Sequence, residues 1–490
     1  MPKTKMRAQP RQATAMTTNP PTPRLFEQGS NAGATTVSDH TLTSFDWLDT
    51  CIEQAAACTD LHAARHLEPL VSAAESSTVF AMGEASSRVL GKVVLGFSPV
   101  IDRYEGVIAT RLTVVPLRVG VTPDVDALLQ AIGEVWPEQG GPVVLNVSSE
   151  SMLAELLRAR PNRNVMVEIP WFVAADPANT GVLAELAARG NLLLLKGRPA
   201  RELPREVLPC FKWALIDYAD DRRLAASAPT HSVARSIPHI QSGVRTMAQL
   251  QHSFERGAIA VIGWPLHEPV APQVQARPDV AVVLELIDHI EQGHNTRTLD
   301  DTLMRDPLLA FELLRHVQAA APGQLRLETG SFRQAISLLG EQPLRRWLGG
   351  MLARTGDDMR LRPVNFAALR RGLLMRQLAS SASDVATRGE LFMCGVFSLL
   401  DRIVGRPVAE TLSMLVVPER VRAAIVDASG PFHPLLELVR EIESESAPDI
   451  RAAADAAFVE PLEINRALLK TLSLATSLDR SRTNESGPLA

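Results

Sequence analysis

Side chains that commonly carry chemistry are few and widely spaced in this chain. Its four cysteines stand at positions 51, 58, 210 and 394, with no CxxC pair and no spacing typical of metal ligands. The pattern therefore predicts neither a disulfide framework nor a zinc site. Residues 344–347 (Leu-Arg-Arg-Trp) combine basic and aromatic side chains, a mixture that can bind nucleic acid. Helical spacing places Leu344 and Trp347 on one apolar stripe and the arginines outward, which favours a solvated helix face.

A second charged feature, near the end of the chain, is acidic. It consists of Glu437, Glu441, Glu443 and Glu445. We interpret it as a solvated acidic helix face, with contact to a partner as the alternative.

The composition limits the possible classes of function. The chain has 490 residues, and 50 Lys plus Arg against 55 Asp plus Glu give a net charge of −5. This balance argues against a nucleic-acid-binding face spread over the whole protein. No apolar run reaches the roughly 18 residues that span a bilayer, and the N-terminus has no signal-peptide core. We therefore expect a cytoplasmic, multidomain protein that neither binds nucleic acid nor inserts into a membrane.

Four segments with different patterns follow one another along the chain. Residues 1–44 are rich in Thr, Pro, Gln and Ser and are predicted to be a disordered tail. Residues 45–78 have apolar positions at helical spacing and are predicted to be a helical segment. In residues 92–270 short apolar runs alternate with helical patterns, which predicts an α/β barrel or an open sheet. After a Pro-rich bridge at 267–278, residues 273–480 have only helical patterns and are predicted to be all-α.

Motifs in these last two regions are similar to known families. The stretch Gly96–Arg103, followed by Gly106–Ala109, resembles the first hairpin of EAL domains, the fold of cyclic-di-GMP phosphodiesterases. The segments Leu303–Arg315, Ser331–Gly340 and Phe392–Asp401 are similar to HDOD domains. Together they make the chain resemble the EAL–HDOD tandem signalling proteins of bacteria. The resemblance implies a shortened, degenerate EAL-type (β/α) barrel in the α/β region and a helical, HD-like HDOD domain in the all-α region.

The resemblance also implies which residues stand at the positions of the catalytic metal ligands. Active EAL enzymes hold two divalent cations with carboxylates and one asparagine, and these cations activate water to hydrolyse a phosphodiester. Three such ligands are placed in this chain, at Asn146, Glu168 and Asp217, whereas Arg111 and Lys196 stand where the family has acidic ligands. A guanidinium is always charged and offers no lone pair to a metal ion. A degenerate site with no catalytic residue and no bound metal is therefore implied.

Two interpretations stay open for these side chains. Arg111 and Lys196, together with Arg245, either line the mouth of the barrel and bind a phosphate-bearing ligand or are solvated loop residues. The three remaining ligands either form a remnant single-metal site or only hydrogen-bond to neighbouring loops.

The expected function follows from both halves. HD phosphohydrolases need a His-Asp dipeptide, and the chain contains none. We expect a signal-transduction protein without enzymatic activity or cofactor, which acts through protein–protein contacts of its HDOD domain. The family implies a role in motility, biofilm formation or virulence. Two alternatives are a sensor that binds cyclic-di-GMP without hydrolysis and a weakly active cyclic-di-GMP phosphodiesterase.

Overall fold

The computed structural model describes most of the chain from residue 83 onward. The described ranges are 83–118, 120–136, 141–221, 237–266, 277–320, 332–352, 361–379 and 383–479. The predicted tail at 1–44, the predicted helical segment at 45–78 and most of the Pro-rich bridge lie outside them.

Eight strands form a closed barrel in the order in which they follow one another along the chain. They are β1 (Val93–Asp102), β2 (Val107–Pro116), β3 (Val143–Val147), β4 (Val165–Pro170), β5 (Leu193–Lys196), β6 (Phe211–Asp217), β7 (His239–Val244) and β8 (Ala260–Gly263). β1 is antiparallel to both of its neighbours, and the other adjacent pairs are parallel. The predicted α/β barrel is therefore confirmed, and the open sheet is excluded. The expected shortening does not extend to the sheet, since all eight strands are present.

The inside of the barrel has an apolar core of its own. Successive side chains of a strand point to opposite faces, so each strand contributes alternate residues to the interior. All eight strands take part in this core, with Val100, Met166, Leu194 and Ile240 as examples. The opposite faces pack against helices, which explains why the strands read as continuous apolar runs.

Helices that precede β1 or connect the strands cover the outside of the barrel. They are α1 (Glu84–Leu90), α2 (Val125–Val135), α3 (Glu150–Arg158), α4 (Trp171–Ala174), α5 (Thr180–Ala188) and α6 (Met247–Glu255). Asp124, Ser149 and Thr246 cap α2, α3 and α6, each by accepting a hydrogen bond from a backbone N–H three residues later. Among the described residues between β2 and β3, α2 is the one helix.

The region after residue 277 is helical. Its helices are α7 (Val280–Glu291), α8 (Thr296–Leu303), α9 (Pro307–Ala320), α10 (Arg333–Leu339), α11 (Glu341–Leu352), α12 (Arg362–Gln377), α13 (Val385–Phe397), α14 (Leu400–Val404), α15 (Val408–Ser413), α16 (Glu419–Val426), α17 (His433–Ser444), α18 (Ala447–Ala457) and α19 (Pro461–Asp479). Asp306, before Pro307, caps α9 by accepting from the N–H groups of Leu308 and Leu309 at 3.0 Å each. The predicted all-α region is confirmed. Within the described ranges, none of the helices is both long and apolar enough to cross a bilayer.

The helical region is joined to the barrel at β1. α17, α18 and α19 all contact this strand. Asn465 of α19 is buried and accepts a hydrogen bond from the N–H of Leu95 at 3.2 Å. Its side-chain N–H₂ donates to the carbonyls of Leu90 and Val93 at 2.7 and 2.9 Å. Because one amide satisfies three backbone groups of the barrel, it fixes α19 in register with β1.

A second contact lies where the barrel ends. The indole N–H of Trp264, just after β8, donates to the carbonyl of Phe97 at 3.1 Å. Its ring meets the Phe97 ring edge-on at 5.2 Å and lies 6.4 Å from Phe366 of α12. An aromatic side chain thus ties two strands of the barrel to one helix of the helical region.

Candidate functional site at the mouth of the barrel

The candidate site lies at one end of the barrel, where the parallel strands have their carboxyl ends. This is the end at which barrel enzymes build their sites. A cleft of about 430 Å³ opens here, and Arg111, Lys196, Asp217 and Arg245 all line it. Four of the six predicted site residues therefore share one cleft.

Arg111 and Glu168 form the centre of the site. Nε of Arg111 donates to Oε1 of Glu168 at 2.5 Å, and Nη2 donates to Oε2 at 3.0 Å. The Glu168 side chain is 0% exposed and the Arg111 side chain 12% exposed. Burial alone disfavours the charge of Glu168, but Arg111 and Lys196 outweigh it and hold the pKa of Glu168 below its usual value. This bidentate pair is a buried ion pair with both partners charged.

Lys196 binds two of the three predicted metal ligands, Asn146 and Glu168. Its Nζ donates to Oδ1 of Asn146 at 2.6 Å and lies 3.4 Å from Oε2 of Glu168. The Asn146 oxygen and both Glu168 oxygens, which the resemblance assigns to metal ions, are thus bound by cationic side chains.

Asp217 is held apart from this pair by its own loop. Its carboxylate accepts from the N–H of Ala219 at 2.9 Å and from the Ser242 hydroxyl at 3.5 Å. Gly243, with φ of +72°, packs so closely that an added Cβ would lie 2.6 Å from Oδ2 of Asp217. Asp217 therefore borders the cleft without joining Asn146 and Glu168 through hydrogen bonds.

The donor set does not fit two divalent cations. In the part of the chain that the structure describes, no group of three or more His, Cys, Asp or Glu side chains is arranged to hold a metal ion. A metal ion at Glu168 would have to displace the Arg111 guanidinium from both carboxylate oxygens. Even then Arg111 and Lys196 would remain nearby and repel the ion.

A residue of the helical region completes the site. Glu445, directly after α17, reaches the mouth of the barrel, and its Oε2 accepts from Nη1 of Arg111 at 2.6 Å. The same oxygen accepts from the Thr113 hydroxyl at 2.9 Å, and Oε1 accepts from the Ser98 hydroxyl. Burial disfavours the charge of Arg111, but Glu168 and Glu445 raise its pKa above the usual value.

The interpretation of the acidic run as a solvated face is wrong for two of its members. Glu443 is buried and accepts from Nε and Nη2 of Arg371 at 2.8 and 2.7 Å. The Glu445 side chain is only 14% exposed. Their contacts lie at sequence separations of 72 and 334 residues, so local spacing carried no signal for them.

Six side chains close into a ring of hydrogen bonds and ion pairs, here called the mouth ring. In order it contains Glu445, Arg111, Glu168, Lys196, Asn146 and Thr113. The Asn146 amide donates to the Thr113 hydroxyl at 3.1 Å, and the Thr113 hydroxyl closes the ring by donating to Glu445. Two cations face two carboxylates, so the ring carries no net charge, as buried charges require. Asp217 and Arg245 lie outside it.

Comparisons with known proteins complete the description. No protein-family model matches the chain. The sequence is 20% identical over 380 residues to the uncharacterized protein YuxH of Bacillus subtilis, covering 72% of this chain and 91% of that protein. It is 22% identical over 299 residues to the cyclic di-GMP phosphodiesterase CdgJ of Vibrio cholerae, covering 60% and 69%.

Among solved structures, the MmoQ response regulator of Methylococcus capsulatus is similar with a TM-score of 0.32 and 16% identity, covering 40% of this chain and 98% of that one. A value this low adds nothing to the fold, which rests on the strand order. The name of the Vibrio relative supports the expected likeness to cyclic-di-GMP phosphodiesterases. The HDOD assignment, the domain bounds and the degeneracy stay predictions.

Proposed function

We propose that the protein acts in cyclic-di-GMP signalling without hydrolysing the nucleotide, through protein–protein contacts of its helical region. The observation that carries the proposal is the bidentate pair of Arg111 with Glu168. A permanent cation binds both oxygens of the carboxylate that would hold a metal ion. Lys196 does the same for the Asn146 oxygen.

Electrostatics support the loss of metal-assisted hydrolysis. In a two-metal mechanism the carboxylates must be free to bind cations that polarise the phosphate and generate hydroxide. In the mouth ring every carboxylate already has a cationic partner at hydrogen-bonding distance. Release of Glu168 would require breaking a buried ion pair, which typically costs about 3–5 kcal/mol.

Support for protein contacts comes from the surface of the helical region. Phe458, at the end of α18, is 95% exposed, and Val385 and Val416 are also largely exposed. Aromatic side chains are enriched in the buried centres of protein interfaces. Phe458 is therefore the first residue to test.

The catalytic part of the proposal is tested with the full-length protein, cyclic-di-GMP and Mg²⁺ or Mn²⁺. We expect no linear product above a buffer control, because the carboxylates are occupied. Metal-dependent product that disappears in the Glu168→Gln variant would overturn the proposal.

The interaction part is tested by cross-linking in the native cell and identifying the bound proteins. We expect a specific partner that is lost with Phe458→Ser. Tyr104→Ser is the matched control, since Tyr104 is an exposed aromatic residue of the barrel. Loss of the partner with both variants, or with neither, would remove Phe458 from the proposal.

The cleft favours one second candidate, a sensor that binds cyclic-di-GMP without hydrolysis. Arg198 and Arg245 line it beside Lys196, and arginine is well suited to phosphate. Calorimetric titration of the full-length protein with cyclic-di-GMP should then give heat of binding. The affinity obtained from it should be at least tenfold lower in Arg245→Ala. A titration without heat would remove this candidate.

A further inference from the structure

We infer that Glu445 is an intramolecular latch, the carboxylate with which the helical region closes the mouth of the barrel. The latch goes beyond the proposed function and does not depend on it. When Glu445 leaves, the mouth opens and the tip between α17 and α18 is released.

The first argument is the number and origin of the contacts. Glu445 accepts from Ser98 of β1 and from Arg111 and Thr113 of β2, so both of its oxygens bind the antiparallel hairpin of the barrel. Charge-assisted hydrogen bonds of this kind are about twice as strong as neutral ones. Three donors on two strands define one position for the carboxylate.

The second argument is the backbone of Glu445. The residue has φ of +58° and ends α17 in the left-handed conformation. Glycine is the usual residue at such a position, because any other residue brings its Cβ close to the following carbonyl oxygen. The contacts of the carboxylate offset this cost, which explains a glutamate where the backbone favours glycine.

The third argument is the fit between the two backbones. A Cβ added to Gly96 of β1 would lie 2.9 Å from Cα of Glu445, closer than two carbon atoms can approach. Gly96 is thus the residue that lets the tip reach the barrel. Glycine inside a strand commonly marks such a close approach of another backbone.

The fourth argument is the support behind the latch. Two residues before it, Glu443 is fixed by the guanidinium of Arg371 on α12, which also donates to the Ser398 hydroxyl after α13 at 3.0 Å. The position of Glu445 is therefore coupled to two central helices of the helical region. A rearrangement of these helices therefore favours opening of the mouth, and opening of the mouth favours the rearrangement to the same extent, because coupling between two sites is reciprocal.

Charge explains why the latch must be an anion. Without Glu445, the mouth ring keeps Arg111 and Lys196 but only one carboxylate, Glu168. An unbalanced buried cation is unfavourable. The latch neutralises it, so closing the mouth and balancing its charge are the same event.

The test compares hydrogen exchange of the full-length protein in two variants and a control. Glu445→Gln keeps the size of the side chain and removes its charge, whereas Gly96→Ala keeps the charge and blocks the approach. Glu463→Gln removes a charge from an exposed glutamate of α19. We expect exchange at the end of α17 and the beginning of β1 to rise about tenfold or more in both latch variants, which corresponds to roughly 1.4 kcal/mol.

Exchange in α3 and α5, which carry no member of the mouth ring, shows that each variant is folded and should stay at the parent value. Glu445→Gly distinguishes the effect of the backbone conformation from the effect of the carboxylate. It removes the carboxylate and at the same time relieves the left-handed strain. We expect it to open the mouth like Glu445→Gln. Unchanged exchange in Glu445→Gly, or in both latch variants, overturns the latch. Hydrolysis by any of these proteins would overturn the proposed function and leave the latch intact.

Discussion

Replacing Arg111 by methionine tests the central ion pair directly. The change removes the guanidinium that binds both oxygens of the fully buried Glu168 and leaves Lys196, 3.4 Å away, as its remaining cation. Breaking a buried pair from one side costs about 3–5 kcal/mol, since the other charge is left uncompensated. Because Lys196 stays, we expect the lower value, about 3 kcal/mol. At about 2–4 °C per kcal/mol for a domain of this size, the melting temperature falls by about 6–12 °C.

The pH dependence of this loss has a definite sign. Burial would raise the pKa of Glu168, but Arg111 and Lys196 together hold it below its usual value. In the parent protein the charge of Glu168 therefore stabilises above the unfolded pKa, and this contribution is lost only as the pH falls through the lowered pKa. In Arg111→Met only Lys196 opposes the effect of burial on the pKa of Glu168. Glu168 therefore takes up a proton at a higher pH than in the parent protein. The difference in unfolding free energy between the two proteins should therefore become smaller as the pH falls from about 7.5 to about 5.

Differential scanning calorimetry of the full-length protein at both pH values measures the effect. Arg189→Met is the matched control, because Arg189 forms an ion pair with Glu185 on the surface of α5, and such pairs contribute at most about 0.5 kcal/mol. The reasoning would be refuted if Arg111→Met lost no more stability than Arg189→Met. It would also be refuted if the stability difference between Arg111→Met and the parent became larger toward pH 5.

Three further predictions concern the helical region. Asn465→Leu leaves three backbone groups of the barrel without their partner and should lower the unfolding free energy by about 2–4 kcal/mol in urea titrations. Gly395→Ala places a Cβ 2.5 Å from the backbone of Arg371 and should cost about 1–3 kcal/mol by thermal circular dichroism, whereas Gly350→Ala, which meets open space, should not destabilise. In Glu445→Gly, acetate should raise the melting temperature more than chloride of equal ionic strength, and more than in the parent.

The barrel was predictable because its strands carry their signal locally. Runs such as Val143–Val147 and Val165–Pro170 are buried on both faces, and this demands the continuous apolar stretches that the sequence shows. β7 (His239–Val244) escaped the same reasoning. Its sequence His-Ile-Gln-Ser-Gly-Val has only two large apolar residues, and its pairing with β6 and β8 decides its structure.

The candidate site was predictable only in part. Asn146, Glu168 and Lys196 lie together because they stand in the carboxyl-terminal halves of three neighbouring parallel strands, a consequence of strand order. Glu445 could not be placed with them, since the docking of the helical region depends on surfaces formed by residues far apart in the chain. One local signal did exist: Gly96 interrupts the apolar run of residues 93–97, where a close approach from outside is a physical reason for glycine.

The mouth ring connects the proposed loss of metal binding with the proposed closure of the barrel. A carboxylate as deeply buried as Glu168 needs positive charge beside it, whether from a metal ion or from a side chain. Arg111 and Lys196 supply that charge permanently, but they bring one positive charge more than Glu168 can balance. The excess attracts an anion to the mouth, and Glu445 is the anion that the chain itself provides. In this proposal, side-chain cations take the place of metal ions and make the mouth a docking site for the helical region, and charge balance is the physical reason that the two properties occur together.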